Sequence, residues 1–271
     1  MDHKLKIIES SWDLKADTLR KSHPLKTLRS LPKMAGITPQ TNRFLKGKGL
    51  FYLIWHDKNK VFLRHFFKHP VLYSLALLKS YLKKESFTRQ KDLFFYGLKD
   101  QKAFQEIATT QNPLVILGFS YCHKPFECPS GRFSDQCQNT PSHPVCGQCF
   151  IGKCTTLANY REAQILYIPT IHYIGEKIFE AVHQNPTREI LFLITACELS
   201  LTMFGDWGNM IGARGIGVRL DGRICNTMQA FKLSEEGIKP GLTLLLDEAQ
   251  TSVLELIKSL PSRNNELCEK A

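Results

Sequence analysis

From about residue 112 onward the chain repeats one pattern. A short apolar run of strand length is followed by a stretch whose apolar residues recur at helical spacing. The runs are 113–120 (PLVILGFS), 164–168 (QILYI), 189–195 (EILFLIT) and 216–220 (IGVRL). One helical pattern is Ile171, Ile174, Ile178, Ala181 and Val182. Another is Leu242, Leu245, Leu246, Ala249, Val253, Leu256, Ile257 and Leu260, stopped by Pro261. Runs without polar alternation belong to strands covered on both faces. Strands alternating with helices predict an α/β domain: a small parallel sheet with helices on both faces, over residues 111–271.

Residues 1–110 read differently, as a basic, mainly helical region. They hold 22 Lys+Arg against 9 Asp+Glu, whereas residues 111–271 hold 14 against 16. The chain's net charge of +11 therefore resides wholly in its N-terminal part. Residues 50–110 are unusually aromatic, with Phe51, Tyr52, Trp55, Phe62, Phe66, Phe67 and Tyr73. Val71, Leu75, Leu78 and Leu82 fall at helical spacing behind Pro70, and Lys79, Lys83 and Lys84 complement the C-terminal end of that helix dipole. Residues 1–48 include breaks at Pro24 and Pro32. Basic residues among aromatics suit nucleic acid or an anionic membrane surface. The plainer reading is a helical scaffold with an aromatic core and solvated lysines. No apolar stretch approaches the roughly 18–20 residues that span a bilayer. The N-terminus alternates charge and lacks a signal peptide's apolar region, so a cytoplasmic chain with reduced thiols is expected.

The thiols carry the functional signal. Six of nine cysteines lie between Cys122 and Cys154, and they include the pair Cys146-Gly-Gln-Cys149. Two thiolates two residues apart grip one metal or cluster from a single backbone turn. A disulfide framework fits poorly with a long chain and an odd cysteine count. Buried apolar thiols fit poorly with a loop of Pro, Ser, Gly, Asn and Asp, although Cys268 in the polar tail carries no signal. In an open α/β sheet, ligands gather beyond the C-terminal strand ends. Cys122, Cys197 and Cys225 each follow an apolar run by a few residues, so parallel strands would bring them to one edge beside Cys128, Cys146 and Cys149. These six are the predicted ligands, with Cys137 and Cys154 as weaker candidates. All-thiolate donors suit an iron–sulfur cluster or zinc. Six thiols exceed one four-coordinate site, so a second centre or redox-active thiols are implied. His123 and His143 are possible zinc ligands, although each reads more plainly as a polar loop residue.

These residues also carry a resemblance. Cys122 with Cys128-Pro129, then Cys146-Gly147-Gln148-Cys149-Phe150-Ile151-Gly152, then Ala196-Cys197-Glu198-Leu199, then Cys225-Asn226-Thr227, resemble the prokaryotic family called domain of unknown function 116. The match spans roughly residues 113–230. It implies a cysteine-rich, metal-binding α/β domain without an established activity. The chain departs from the family at Ile168-Pro169-Thr170-Ile171-His172, where relatives tend to have a glycine-rich turn, and in Cys137 and Cys154, which look like additions.

Among carboxylates, Glu198 is a weak catalytic candidate beside Cys197, with Asp206 and Asp221 as further acid, base or ligand-supporting groups. Arg214, Arg219 and Arg223 suit an anionic substrate, or, for Arg219, an ordinary solvent-facing position. The glycines of 212–217 have the wrong order for nucleotide binding and precede a strand. The expected function is a cysteine-ligated metal protein in redox or cofactor-related metabolism, delivering electrons or sulfur to a partner enzyme. The alternative is a structural-zinc module whose basic residues 1–110 contact nucleic acid or an anionic membrane. A third reading is thiol-redox chemistry at Cys146 and Cys149.

Overall fold

The computed structural model describes residues 3–26, 36–83 and 86–263. Five helices come first: α1 (His3–Ser22), α2 (Pro39–Asn42), α3 (Leu45–Trp55), α4 (Val61–Phe66) and α5 (Pro70–Leu82). A hairpin of β1 (Thr88–Gln90) and β2 (Leu93–Tyr96) and helix α6 (Gln101–Thr110) lead to the first apolar run, β3 (Leu114–Ser120). There follow α7 (Phe150–Ala158), β4 (Gln164–Ile168), α8 (Ile171–Gln184), β5 (Ile190–Ala196), α9 (Glu198–Met210) and β6 (Arg214–Arg219). The chain ends with β7 (Asp221–Gly222), α10 (Met228–Glu235), β8 (Thr243–Leu244) and α11 (Asp247–Ser259). All four apolar runs form strands, and the fold is α/β with helices on both faces of the sheet.

The six-stranded sheet has the order β1-β2-β6-β5-β3-β4. Strands β6, β5, β3 and β4 are parallel, and the β1–β2 hairpin adds antiparallel through β2 to β6. Alternation along each strand explains the two layers. Val115, Leu117 and Phe119 of β3, with Leu191 and Leu193 of β5, enter the core under α1, α6, α7 and α11. Ile116, Phe192 and Ile194 enter the opposite core, under α3, α4, α5, α8 and α9. There Gly215 and Gly217 of β6 leave room for Phe192, Leu201 and Tyr96.

Three expectations need correction. The composition shift at residue 110 is not a packing boundary: β1 and β2 belong to the same sheet, and Leu45, Tyr52, Phe62 and Tyr73 share a core with Phe192 and Phe204. Charge patterning reports the solvent face of a helix, not which sheet its apolar face covers. Residues 50–110 are not helical throughout, because 93–96 (LFFY) is fully buried as the strand beside β6. The last helix starts at Asp247; residues 242–246 instead supply β8, which pairs with β7, so their helical spacing is coincidental.

Helix α1 lies against α7 and the turn that carries Cys146. Trp12 is 8% exposed, and Leu5 is buried in the core beneath. Lys153 of α7 reaches Asp13 at 2.7 Å and Glu9 at 3.4 Å, and Lys258 of α11 reaches Glu9 at 2.8 Å. Trp12→Ala is expected to destabilise the protein by about 3 kcal/mol, the low end for truncating a buried large aromatic. Urea denaturation followed by circular dichroism reads it as a lower midpoint at unchanged slope.

Candidate metal centre

Strand β3 sits between β5 and β4, and the chain leaves β3 toward β4 before returning to β5 on the other side. The loops beyond β3 and β5 therefore diverge and open a crevice at the C-terminal sheet edge. Cys122 lies in the 3₁₀ turn Tyr121–His123 directly after β3, and Cys197 is the N-cap of α9 directly after β5. A cavity of about 50 Å³ between them is lined by Ser120, Cys122, Thr195, Cys197, Ser200 and Glu235 among others.

Cys225 joins this edge group. Its thiol and that of Cys197 are hydrogen-bonded to each other, and Cys197 Sγ lies 3.2 Å from Ser200 Oγ. Lys239 Nζ donates to Cys122 Sγ at 3.1 Å and to Cys225 Sγ at 3.7 Å. The Cys197 hydrogen bond, helped by Lys239 and opposed by burial, lowers Cys225 to about 6. The same bond and burial push Cys197 well above the ordinary thiol range. Glu235 accepts from the Ile171 N–H at 2.9 Å, yet burial pushes its carboxyl up to about 8.

A second group forms in the loop between β3 and α7. Cys128, Cys137, Cys146 and Cys149 line one cavity of about 20 Å³. Cys146 opens the 3₁₀ turn Cys146–Gln148, and Cys149 is the N-cap of α7. The helix's first free N–H groups, from Ile151 and Gly152, point at the Cys149 sulfur, and the Thr140 N–H points at Cys146. Burial nonetheless pushes Cys149 up to about 12 and raises Cys146. Gly147 lies where α1 and the Pro141 carbonyl close over the turn. A Cβ there would lie 2.5 Å from Leu19 Cδ1 of α1 and 3.1 Å from the Pro141 carbonyl oxygen.

Two cations hold this loop. Lys124 is 1% exposed, and its Nζ donates to the carbonyls of Ser134 and Gln136, each at 2.7 Å. Burial lowers its pKa, an effect that charge on Cys128, Cys137 or Cys149 opposes. Arg132 ties the loop to the edge group by donating to the carbonyls of Lys124 at 3.2 Å, Cys122 at 3.1 Å and Lys239 at 2.8 Å.

The six predicted ligands are therefore divided. Cys128, Cys146 and Cys149 meet in the loop with Cys137; Cys122, Cys197 and Cys225 meet at the sheet edge. Cys154 is 0% exposed in the apolar core behind α7, and Cys268 lies outside the described residues. All eight described cysteines are free thiols. Among the described residues, no three or more His, Cys, Asp or Glu side chains are spaced to hold a metal ion. The thiols surround shared cavities without ligand spacing. His123 stacks on Phe150 with centroids 5.5 Å apart, and His143 Nδ1 accepts from the Val145 N–H at 3.2 Å.

The other candidates are committed elsewhere. Glu198 pairs with Arg219 at 3.1 Å and Arg89 at 2.7 Å. Arg219 is not solvent-facing: it is 2% exposed and also pairs with Asp92 at 3.1 Å and Asp221 at 3.8 Å. Asp206 accepts from Ser80 Oγ at 2.9 Å and lies 3.6 Å from Lys46, in the middle of α9 and away from the thiols. Arg214 pairs with Glu189 at the opposite end of the sheet, and Arg223 is exposed. Sequence reasoning missed Lys124, Arg132, Lys239 and Glu235. A charged residue in a polar loop, or at a helix end as Glu235 is, reads as solvated, and only the tertiary packing buries it. Among the described residues, no helix is long and apolar enough to cross a membrane. No family model, curated protein or solved structure matches this chain, so the motif resemblance adds no functional residue to those placed above.

Proposed function

We propose that this chain is a cysteine-ligated metal protein, with an iron–sulfur centre favoured over zinc and Cys128, Cys137, Cys146 and Cys149 as its main ligand set. The observation that carries the reading is Lys124. Lys124 is 1% exposed with its Nζ held on two carbonyls, and negative charge on Cys128, Cys137 or Cys149 stabilises the buried cation further. A metal bound by four thiolates supplies that charge, and the soft all-sulfur donor set suits zinc or an iron–sulfur cluster. The N–H groups aimed at Cys149 and Cys146 and the start of α7 offset part of the burial that otherwise holds both as thiols. Arg132 and Gly147 hold the loop in place, and ligation requires the loop to draw in around the metal.

Cys122, Cys197 and Cys225, with Lys239, form a second thiol group at the ligand-binding edge of the sheet. One structural ion would need no such group, which favours a redox role over structural zinc. An iron–sulfur centre supplies one-electron transfer when bound. Within this proposal the chain works where thiols stay reduced, as in the cytoplasm, and serves a partner enzyme.

The test is purification without oxygen, followed by an absorption spectrum and iron, sulfide and zinc content of the same sample. A broad band near ~400 nm with matched iron and sulfide supports the cluster. Stoichiometric zinc without colour supports the structural reading. Neither metal, with all nine thiols titrating free, overturns metal binding altogether.

A further inference from the structure

Helix α5 is built inside out for a surface helix. Tyr73 and Ser80 are buried on its inner side, and Ser80 meets Asp206 and Asn209 of α9. Its outer side carries Val71, Leu72, Leu75, Leu78, Tyr81 and Leu82, from 47% exposed at Tyr81 to 76% at Leu82. Helix α3 lies beside it, since Lys46 Nζ donates to the Lys83 carbonyl at 2.9 Å. Phe51 and Trp55 of α3 are exposed and stacked, with centroids 5.5 Å apart. An exposed apolar surface of this kind marks an interaction site.

The segment that carries it is basic. Residues 43–83 contain nine Lys/Arg and one acidic residue, Asp57. Lys58, Lys60, Arg64, Lys68, Lys79 and Lys83 are all exposed. Aliphatic side chains edged by cations match an anionic bilayer surface, which offers acyl chains to the leucines and phosphate or carboxylate to the lysines. Phe51, Trp55 and Tyr81 are able to stack on bases, but the five aliphatic side chains of α5 are not, which disfavours nucleic acid. A symmetric second copy would bring two strongly positive patches together, which like-charge repulsion opposes. At 13 residues α5 is far too short to span a bilayer, and it would lie in the plane of the interface.

We propose that this face, centred on α5 with α3 beside it, seats the protein peripherally on anionic lipid. The inference is independent of the metal reading and holds whatever the protein's metal content.

The test is flotation of the full chain with vesicles of phosphatidylcholine alone and of phosphatidylcholine with phosphatidylserine. The expected result is co-flotation with the anionic vesicles only, weakened by salt. Leu75→Glu/Leu78→Glu should abolish it. Lys79→Glu and Lys83→Glu should each weaken it at least roughly fivefold, the effect of losing one cation. All four positions are exposed, so melting by circular dichroism should match the parent and exclude misfolding. Absence of flotation with anionic vesicles overturns the proposal. So does a dimer in sedimentation equilibrium that Leu75→Glu/Leu78→Glu dissociates, which would make a second copy the occupant. Salt-sensitive retention on nucleic acid without flotation overturns it as well.

Discussion

On the proposed metal reading, Cys149→Ser is expected to strip the protein of metal and to cause the larger of two losses of stability. Cys149 sits at the start of α7 with two backbone N–H groups on its sulfur, so its replacement removes a proposed ligand and the thiol that the helix start faces. Structural metal bound by thiolates contributes roughly 10–16 kcal/mol to the folding of small domains. Here neither core takes a fully buried member from residues 124–149, so part of that contribution is expressed as order in that loop. Metal content per chain should fall from stoichiometric to background, with a large drop in melting temperature. Cys137→Ser should do the same, although spacing alone ranks Cys137 low. Cys154→Ala is the control: it removes one buried sulfur from an apolar core and should cost about 1–2 kcal/mol while metal stays bound. Metal retained in Cys149→Ser and Cys137→Ser would sink the loop as the ligand set. Metal lost in Cys122→Ser, Cys197→Ser and Cys225→Ser instead would transfer that role to the sheet edge.

Gly215→Ala should prove more damaging than its single methyl implies. The added Cβ would stand 2.2 Å from the Phe192 carbonyl oxygen and 2.5 Å from its Cγ. The obstacle is the backbone of the neighbouring strand, which cannot swing aside as a side-chain end can. The β5–β6 pairing must part, or Phe192 must leave a core in which it packs against Tyr96 and Phe204. A loss of more than about 3 kcal/mol is expected, beyond ordinary overpacking. Gly175→Ala in α8 provides the opposite sign. Its Cβ would meet Trp207 at an ordinary 3.8 Å, and alanine in a helix interior is favoured over glycine by roughly 0.5–1 kcal/mol. Urea denaturation of both variants and the parent decides between them. Equal midpoints for all three would remove Gly215 as a constraint on the sheet.

The strands after residue 112 are legible because each run is apolar without alternation, a pattern set by burial on both faces. LFFY at 93–96 has the same character but is only four residues long, within a stretch of helical composition, and its pairing with β6 joins residues far apart in sequence. The cysteines are legible as a population, and parallel strands do bring Cys122, Cys197 and Cys225 to one edge. Their division into two groups is not legible, because it depends on how the loop from 124 to 149 folds back. That path is set by Arg132 reaching carbonyls on both sides and by α1 closing over Gly147.

The sequence by itself determined the α/β alternation, the basic N-terminal composition and the presence of thiols where an α/β sheet binds ligands. Those features rest on local periodicity and on composition, which neighbouring residues express. The tertiary structure alone decided that residues 1–110 share the cores of the sheet, that Cys137 joins Cys128, Cys146 and Cys149, and that Lys124 and Lys239 stand beside thiols. Those depend on burial and on contacts across long sequence separations, where the cost of desolvating a charge is set by partners that no local pattern names.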